Sequence, residues 1–403
     1  MSTPDQKTGT MPDHDSWRSQ YADTLMGSAP PPLNLLVRGE GCYVWDADGK
    51  KYLDFLAGIA VNSLGHAHPV LVDAVSRQMA TIAHVSNYFA TPPQIELAER
   101  LRRITGAGER GRVYFGNSGA EAIEAAIKLA RRNGPNKTIL ALNNSFHGRT
   151  VGSLSLTGKP ALREAFGALL PGVEHIDSTI EALEASISDR ISALVVEPIK
   201  GEAGVIDLPD GYLKRARELT EKHGVLLILD EIQTGAGRTG SWFAYQQHGI
   251  VPDAIALAKG IGGGLPIGAL VTFGDTSDLF TRGQHGSTFG GNPLATAAAN
   301  AVLGEIETAG LVENAAKRGA EIRAAILALN SPLVREIRGA GLLIGVGLTD
   351  PVAQRVSDKA LELGLIINAP NDESIRIAPP LTIGDAEIAE FISLFATALE
   401  ASA

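Results

Sequence analysis

Two residues with reactive side chains stand at the ends of predicted buried strands. Asp230 closes the apolar run of residues 225–229, and Lys259 follows the apolar run of residues 255–258. Open α/β sheets bind ligands at the carboxyl ends of their strands. There, an amine can attack a carbonyl carbon, and a carboxylate can keep a ring nitrogen protonated. The pair therefore predicts an active site built around a heterocyclic ring.

The loop after Lys259 supports a bound ligand. Residues 260–266 contain four glycines, which let the backbone approach a ligand closely and cost chain entropy if nothing requires them. For Lys259 alone, a strand-ending lysine with its amine in water is the commoner interpretation. A lysine and an acid together are what pyridoxal 5'-phosphate (PLP) needs from a protein. We therefore predict PLP as the cofactor, with Lys259 and Asp230 as catalytic residues.

The residues that follow Asp230 fit the same ring. Side chains two apart on an extended chain face the same way, so Asp230 can meet a ring nitrogen while Ile232 covers one ring face. Gln233 is placed to hydrogen-bond the phenolic oxygen of that ring. A carboxylate that only caps the next turn is the plainer interpretation of Asp230 taken alone.

A phosphate site is predicted where a strand ends and a helix begins. Free N–H groups at the helix start could bind the phosphate through Ser118, Gly119 and Ala120, although simple capping by Ser118 is equally compatible. Past a later strand, Phe146 could stack on a flat ring, and Arg149 could clamp a carboxylate with two hydrogen bonds. Between these two, a lone histidine at 147 is more often a packed polar residue.

Two further segments carry weaker signals. Ser287 and Thr288 lie in a glycine-rich loop that suits a phosphate, and it suits an ordinary turn equally well. Arg376 stands between isoleucines on a predicted strand, so its charge faces either something specific or solvent. Residues 235–240 match a dinucleotide fingerprint, but no convincing helix opens after Gly240 and a polar stretch separates the match from its strand. We treat that match as chance, which leaves a nicotinamide-dependent dehydrogenase as the rival from another class.

Composition bounds the class of protein. The 403 residues are 44% hydrophobic and 20% charged, with a formal charge of −10 and no run of Lys or Arg. This argues against nucleic acid or an anionic membrane as the main partner, and no apolar run is long enough to span a bilayer. Cys42 is the single cysteine, so a cytoplasmic location is expected. We predict no metal site, and a mobile N-terminus over residues 1–16.

The elements that must position these residues alternate in type. Six short apolar strands are predicted with helices between several of them, notably over 120–132 and 212–223, so the fold class is α/β with a mainly parallel sheet between helices. Two helices, a second set of strands and a terminal helix are predicted after residue 293. The predicted strands of the first region are 112–115, 138–142, 193–197, 225–230, 254–258 and 269–273.

Taken together, the motifs resemble the class III aminotransferases of PLP fold type I. The resemblance runs in order through nearly everything after residue 38, and the segments that carry it are 58–66, 117–126, 146–150, 197–202, 229–240, 257–269, 285–293, 337–339 and 376–381.

The resemblance implies a fold and a domain organisation. It implies fold type I, with a large domain built on a seven-stranded, mainly parallel sheet and a smaller α/β domain. The implied segments are a piece over 17–64 that packs with the small domain, the PLP-binding domain over 65–292, and the small domain over 293–403. It also implies a homodimer with shared active sites, in which Thr288 contacts the phosphate across the interface.

The resemblance also assigns substrate roles. It is closest to the subgroup that acts on acetylornithine, with 2-oxoglutarate as acceptor and glutamate as product. Arg149, with Ser287 nearby, matches the site for the acetylornithine carboxylate, and Arg376 matches the clamp for the glutamate α-carboxylate. Glu202 matches the acid that pairs with Arg376 in one half-reaction and releases it in the other. The acyl group of the ornithine is open, and ornithine, succinylornithine and 4-aminobutyrate aminotransferases are the alternatives within the family.

Two positions depart from the family pattern. Lys200 stands where glutamine is usual, next to the switch acid Glu202, so the pairing of that acid could be tuned differently. Ile123 replaces a common asparagine on the helix after the phosphate turn.

Overall fold

A computed structural model describes residues 16–403 of the chain. The predicted mobile N-terminus therefore lies outside the described residues, apart from Ser16, which begins the first helix. Among the described residues, no helix combines the length and apolarity needed to cross a membrane.

The helices and strands alternate along most of the chain. The helices are α1 (Ser16–Thr24), α2 (Ala57–Ala60), α3 (Pro69–Thr81), α4 (Pro92–Thr105), α5 (Gly119–Asn133), α6 (Val151–Leu156), α7 (Pro160–Arg163), α8 (Ile180–Ser186), α9 (Tyr212–His223), α10 (Pro293–Thr308), α11 (Leu311–Ala328), α12 (Ala353–Leu363) and α13 (Asp385–Glu400). The strands are β1 (Leu36–Glu40), β2 (Tyr43–Asp46), β3 (Lys51–Asp54), β4 (Arg112–Gly116), β5 (Thr138–Leu142), β6 (Val173–Ile176), β7 (Ile191–Val196), β8 (Ile199–Lys200), β9 (Ile206–Asp207), β10 (Leu226–Asp230), β11 (Ala254–Leu257), β12 (Gly268–Thr272), β13 (Val334–Ala340), β14 (Leu343–Leu348), β15 (Leu365–Ile366), β16 (Asn368–Asn371) and β17 (Ser374–Ile377).

The main sheet has seven strands in the order β4-β12-β11-β10-β7-β5-β6. Neighbours pair in parallel except for β12, which runs antiparallel to both β11 and β4. All residues of β7, β10, β11 and β12 are buried, because helices cover both faces of the sheet. The prediction of a mainly parallel α/β sheet is confirmed, and the six predicted strands lie within two residues of the observed ones.

The seventh strand, β6, was not among the predicted strands. Its sequence, Val-Glu-His-Ile, contains no apolar run, and its residues are half-buried or exposed at the edge of the sheet. A strand with only one neighbour and partial solvent contact lacks the signal by which the inner strands were recognised.

Besides a two-stranded sheet of β8 and β9, two four-stranded sheets accompany the main one. One has the order β13-β14-β17-β16 and carries Arg376 on an inner strand. The other has the order β1-β2-β3-β15, so strands near the N-terminus pair with one from the C-terminal third of the chain. This pairing supports the proposed division in which residues 17–64 pack with a small domain over 293–403.

The connectivity brings the ends of several strands to one edge of the main sheet. Strands β4, β5, β7, β10 and β11 all run in the same direction, because the one antiparallel strand lies between β4 and β11. Segments 117–120, 145–149, 197–202, 230–233 and 258–260 therefore meet there, as expected for a ligand site in an open α/β sheet.

Candidate active site

A cavity of about 330 Å³ opens at this edge of the sheet. Its lining is mixed: apolar side chains such as Ile199 and Leu265 alternate with a few convergent polar groups. The structure brings together most of the predicted site residues here, namely Ser118, Gly119, Ala120, Phe146, Glu202, Asp230, Ile232, Gln233 and Lys259.

Lys259 directly follows the short link after β11, and it has a left-handed φ of 48°. Such a conformation is strained for a residue with a side chain, and strain of this kind gathers at functional sites. Among the described residues, none forms a hydrogen bond with its amine. Burial lowers the pKa of Lys259, and the charge of Glu202 opposes this without reversing it. The amine is therefore available as a nucleophile and proton carrier.

Asp230 ends β10 and is held by two hydrogen bonds. Its Oδ1 accepts the N–H of Ile232 at 3.1 Å, and its Oδ2 lies 2.7 Å from Nδ1 of His147. Burial alone would lower the pKa of His147, but the hydrogen bond and charge of Asp230, with the charge of Glu197, raise it. The raised pKa favours a protonated His147 ring that donates a hydrogen bond to the Asp230 carboxylate. This bond fixes the position of the carboxylate at the cavity.

His147 is the main residue whose role the sequence did not establish. Its side chain is fully buried, and its Nε2 has no hydrogen-bond partner among the described residues. It is a packed polar residue, as expected, but it packs on the carboxylate of the candidate site. Its place beside Phe146, in a loop with other candidates, was the only signal that pointed to it.

Glu197 follows β7 and accepts hydrogen bonds from two loops at the cavity. Its Oε2 accepts the N–H of Phe146 at 2.8 Å, and its Oε1 accepts the N–H of Gly201 at 3.3 Å. Burial raises the pKa of Glu197 to about 7, with the charge of His147 acting against this and that of Asp230 in the same direction. Glu197 thus holds the loops of Phe146 and Gly201 together.

The start of α5 is the candidate phosphate site and lines the cavity. Ser118 is the N-cap, and its Oγ accepts the N–H of Glu121 at 3.2 Å. Gly119 and Ala120 line the cavity, and their N–H groups have no hydrogen-bond partner in the described chain. Free N–H groups at a helix N-terminus are suited to bind phosphate. A Cβ on Gly119 would meet Ile232 at 2.8 Å, so only glycine lets these two walls approach.

Arg376 lies on β17 and is almost wholly buried, with 1% of its side chain exposed. Its Nη1 donates to Oε1 of Glu202, and its Nε donates to Oδ1 of Asn368 at 3.1 Å. Gln233 bridges the pair, because its Nε2 is 3.4 Å from Glu202 and its Oε1 is 3.4 Å from Arg376. Burial raises the pKa of Glu202, but the charge and hydrogen bond of Arg376 bring it below its ordinary value.

Four predicted residues do not line the cavity: Arg376, which lies behind Glu202, and Arg149, Thr288 and Ser287. Arg149 is exposed at its rim, with its guanidinium carbon 5.7 Å from the centre of the Phe146 ring. Thr288 lies on an exposed loop. Ser287 Oγ accepts a hydrogen bond of 3.1 Å from Nδ2 of Asn117, which does line the cavity, and in the described chain Ser287 has no recorded contact with Arg149.

The structure shows the surroundings of Lys200 and Ile123, the two residues that depart from the family pattern. Lys200 points away from the Arg376 pair, since its amine donates to Ser178 Oγ at 2.8 Å and to the Asn143 carbonyl at 3.4 Å. Among the described residues, no hydrogen bond or ion pair joins Lys200 to Glu202 or Arg376. Ile123 is fully buried in the apolar contact of α5 with the main sheet.

The dinucleotide-like match over residues 235–240 has a structural role. Arg238 is buried there, and its Nη1 donates to the main-chain carbonyls of Leu342 and Pro379. In the described chain a 3-10 helix over Ala244–His248, rather than an α-helix, is the next helical element. The segment therefore lacks the helix start that holds a pyrophosphate.

Comparison with known proteins identifies the family of this chain. The family model described as aminotransferase class-III matches residues 26–399. Acetylornithine aminotransferase of Mycolicibacterium smegmatis is 50% identical over 96% of this chain and 98% of its own length, and that of Streptomyces coelicolor is 49% identical over 95% of both.

Solved structures agree as well. An ornithine aminotransferase of Toxoplasma gondii, with PLP at partial occupancy in its active site, is 33% identical and superposes with a TM-score of 0.91 over 97% of this chain and 95% of its own. Acetylornithine aminotransferase of Elizabethkingia anophelis is 33% identical and gives 0.86 over 97% of this chain and 100% of its own. With the lysine, the acid and the candidate phosphate site at one sheet edge, these likenesses lead to one conclusion: the chain belongs to the class III aminotransferases.

Proposed function

We propose that this protein transfers an amino group from N2-acetyl-L-ornithine to 2-oxoglutarate, giving N-acetyl-L-glutamate 5-semialdehyde and L-glutamate. The observation that carries the proposal is the contrast between two arginines. Arg149 is exposed at the rim and unpaired among the described residues, whereas Arg376 is buried and paired with Glu202. One is open to a carboxylate at all times, and the other becomes open only when Glu202 leaves.

PLP is the cofactor, and the residues present fit it. Lys259 would be the point of covalent attachment, Asp230 would meet the ring nitrogen, and Phe146 and Ile232 would cover the ring faces; all four line the cavity. The free N–H groups of Gly119 and Ala120, with Ser118, would bind the phosphate. When bound, the protonated ring acts as an electron sink for the carbanion that forms on the substrate.

Lys259 carries the proton. Its lowered pKa leaves a larger fraction of the amine neutral than in an ordinary lysine, so Nζ can remove a proton from the δ-carbon of the donor. Asp230 keeps its place through His147, so that the negative charge needed at the ring nitrogen does not depend on solvent.

The arginines decide which carbon reaches Lys259. Acetylornithine reacts at its δ-amine, so its α-carboxylate belongs at the far end, with Arg149. Glutamate reacts at its α-amine, so its α-carboxylate belongs near the reacting carbon, with Arg376. A charged Arg–carboxylate bond contributes roughly 1.5–3 kcal/mol. Pairing with Glu202 keeps Arg376 from attracting the wrong end of acetylornithine.

A substrate panel tests the proposal. Purified enzyme with PLP should be assayed with acetylornithine, succinylornithine, ornithine and 4-aminobutyrate, each with 2-oxoglutarate. We expect the largest kcat/KM for acetylornithine. A larger value for ornithine or 4-aminobutyrate would refute the assignment of the donor and leave the aminotransferase family intact.

A homodimer is part of the proposal, and an exposed apolar surface supports it. None of the side chains of α3 is buried within the chain, and Tyr88 and Phe89 are 88% and 67% exposed. Phe289, next to Thr288, is 60% exposed and packs on His84 with ring centroids 4.9 Å apart. Apolar groups this exposed mark an interaction site. A second copy that covers them would receive Thr288 at its own phosphate site.

Mixed dimers test this sharing of residues. We expect Lys259→Ala and Thr288→Val each to impair activity alone. A dimer of one subunit of each kind keeps one complete site if Thr288 acts across the interface, so co-refolding the two should restore activity. If Thr288 acts within its own chain, or the protein is a monomer by sedimentation, mixing restores nothing. The cytosol is the compartment we propose for the enzyme, in line with its single cysteine.

A further inference from the structure

A lysine that the sequence did not single out lies beside the switch acid. Nζ of Lys159 donates a 2.6 Å hydrogen bond to the main-chain carbonyl of Glu202. Glu202 is also the residue whose carboxylate pairs with Arg376. Lys159 is half-buried, and it forms no ion pair with any described residue. A cation without a carboxylate partner thus contacts the main chain of the residue whose carboxylate already has one.

The backbone of Lys159 is fixed relative to the cavity. The N–H of Gly158 donates to the carbonyl of Ser145 at 3.0 Å, and the N–H of Asn144 donates to the carbonyl of Gly158 at 2.9 Å. Pro160 begins α7 directly afterwards. Since Ser145 precedes Phe146, the segment of Lys159 is tied to the loop that forms one wall of the cavity. The hydrogen bond from its amine to the Glu202 carbonyl is therefore made from a backbone that is held in place.

The charged groups that act on Lys159 include both arginines proposed to bind substrate carboxylates. Partial burial lowers its pKa, the charges of Glu202 and Glu197 act in the opposite direction, and those of Arg376 and Arg149 lower it further. The ammonium is thus within the electrostatic influence of both Glu202 and Arg376.

Release of Arg376 creates an electrostatic problem. When the carboxylate of an acceptor binds Arg376, the Glu202 carboxylate loses its cation while 24% of its side chain is exposed. An uncompensated charge in such a place is strongly unfavourable. Gln233 offers only a neutral amide at 3.4 Å, and the charge of Glu197 repels the carboxylate. The charge of Lys259 also favours the carboxylate, but Lys259 is the residue proposed to hold the cofactor. A second cation near Glu202 would resolve this.

We propose that Lys159 is the second partner of the Glu202 carboxylate. The acid pairs with Arg376 while acetylornithine is bound, and it turns to Lys159 when the α-carboxylate of 2-oxoglutarate takes Arg376. Lys159 acts through Glu202, so it is a positioning residue, and its role is confined to the half-reaction of the acceptor. This inference rests on the proposed function, in particular on the switching of Glu202.

The test compares the two half-reactions. Lys159→Gln keeps an N–H donor for the Glu202 carbonyl but removes the charge, and Lys159→Arg restores the charge. Binding of the unreactive dicarboxylate glutarate is measured by calorimetry, and each half-reaction is followed in single turnover. We expect Lys159→Gln to weaken glutarate binding and slow the 2-oxoglutarate half-reaction by about fivefold, the scale of a partly exposed ion pair. The acetylornithine half-reaction should be unchanged, and Lys159→Arg should resemble the wild type.

A double-mutant cycle separates this role from simple support of the loop. In a Glu202→Gln background residue 202 carries no negative charge for Lys159 to pair with. Lys159→Gln should therefore cause no further loss of glutarate binding. Lys200→Gln is the matched control, because that lysine is buried on the same segment but bonds to Ser178.

Three outcomes would overturn the proposal. The first is that Lys159→Gln slows both half-reactions equally. The second is that Lys159→Gln still weakens glutarate binding fivefold in the Glu202→Gln background. The third is that Lys200→Gln slows the 2-oxoglutarate half-reaction as selectively as Lys159→Gln does. If Lys159→Gln does not fold, Lys159→Met serves in its place, and melting curves identify that case. Wild-type enzyme that turns over neither acetylornithine nor 2-oxoglutarate would instead refute the proposed function.

Discussion

Removing the side chain of Arg376 should damage one half-reaction and spare the other. In Arg376→Ala, the α-carboxylate of 2-oxoglutarate loses a charged, forked hydrogen-bond partner worth roughly 1.5–3 kcal/mol. At about tenfold for each 1.4 kcal/mol, the second half-reaction should fall by roughly 10- to 150-fold in kcat/KM. Acetylornithine does not use Arg376, so its half-reaction should stay within about threefold of the wild type on the same scale.

The stability of this variant must be measured as well. Arg376→Ala leaves the Glu202 carboxylate without its cation, and truncating one partner of a fully buried pair costs roughly 3–5 kcal/mol. Because 24% of the Glu202 side chain is exposed, we expect a smaller loss, visible as a lower melting temperature. Arg376→Lys keeps the charge but not the planar fork of the guanidinium, so its melting temperature should lie between those of the wild type and Arg376→Ala.

The assay is single-turnover stopped flow, with one substrate at a time and the absorbance of the cofactor as the signal. Each half-reaction is then measured without the other. Equal slowing with acetylornithine and with 2-oxoglutarate, in a variant that remains folded, would refute the assignment of Arg376 to the acceptor alone.

Three further outcomes follow from the site. Lys259→Ala should fold and bind PLP without a covalent link, yet give no turnover in either single-turnover assay. His147→Leu removes a hydrogen bond to the Asp230 carboxylate, so the dissociation constant of PLP, measured by fluorescence titration, should rise by roughly tenfold, and an unchanged constant would contradict the role of His147. Glu197 has a folded pKa of about 7, above its ordinary 4.5, so its protonation stabilises the folded state at low pH, and that contribution is lost as pH rises from about 4.5 to 7. The melting temperature of Glu197→Gln should therefore fall less steeply over this range than that of the wild type, and parallel curves would argue against the raised pKa.

The inner sheet and the chemistry at its edge could be predicted because their signals are local. Apolar runs that end in Asp230 and near Lys259 reveal both the strands and the position of the reactive groups. The start of α5 could be located in the same way, because a strand, a loop of small residues and a helix follow one another there. The predicted position of residues 118–120 at the ligand site therefore agrees with their position in the cavity wall.

Other features depend on contacts between distant segments. His147 and Asp230 are 83 positions apart, and Lys159 and Glu202 are 43 apart, so no spacing along the chain reveals either contact. The orientation of Lys200 away from Glu202 is likewise decided by packing on Ser178. The strand β6 stayed hidden because an edge strand need not be apolar.

The central claim is that Lys259 holds the cofactor and that acetylornithine releases it from that lysine. The most direct measurement is reduction of the PLP-loaded enzyme with borohydride, followed by mass spectrometry of its peptides. We predict a phosphopyridoxyl group on Lys259, and its near-complete loss when acetylornithine without 2-oxoglutarate is added before the reductant. A label on another lysine, or a label on Lys259 that acetylornithine does not diminish, would contradict the account.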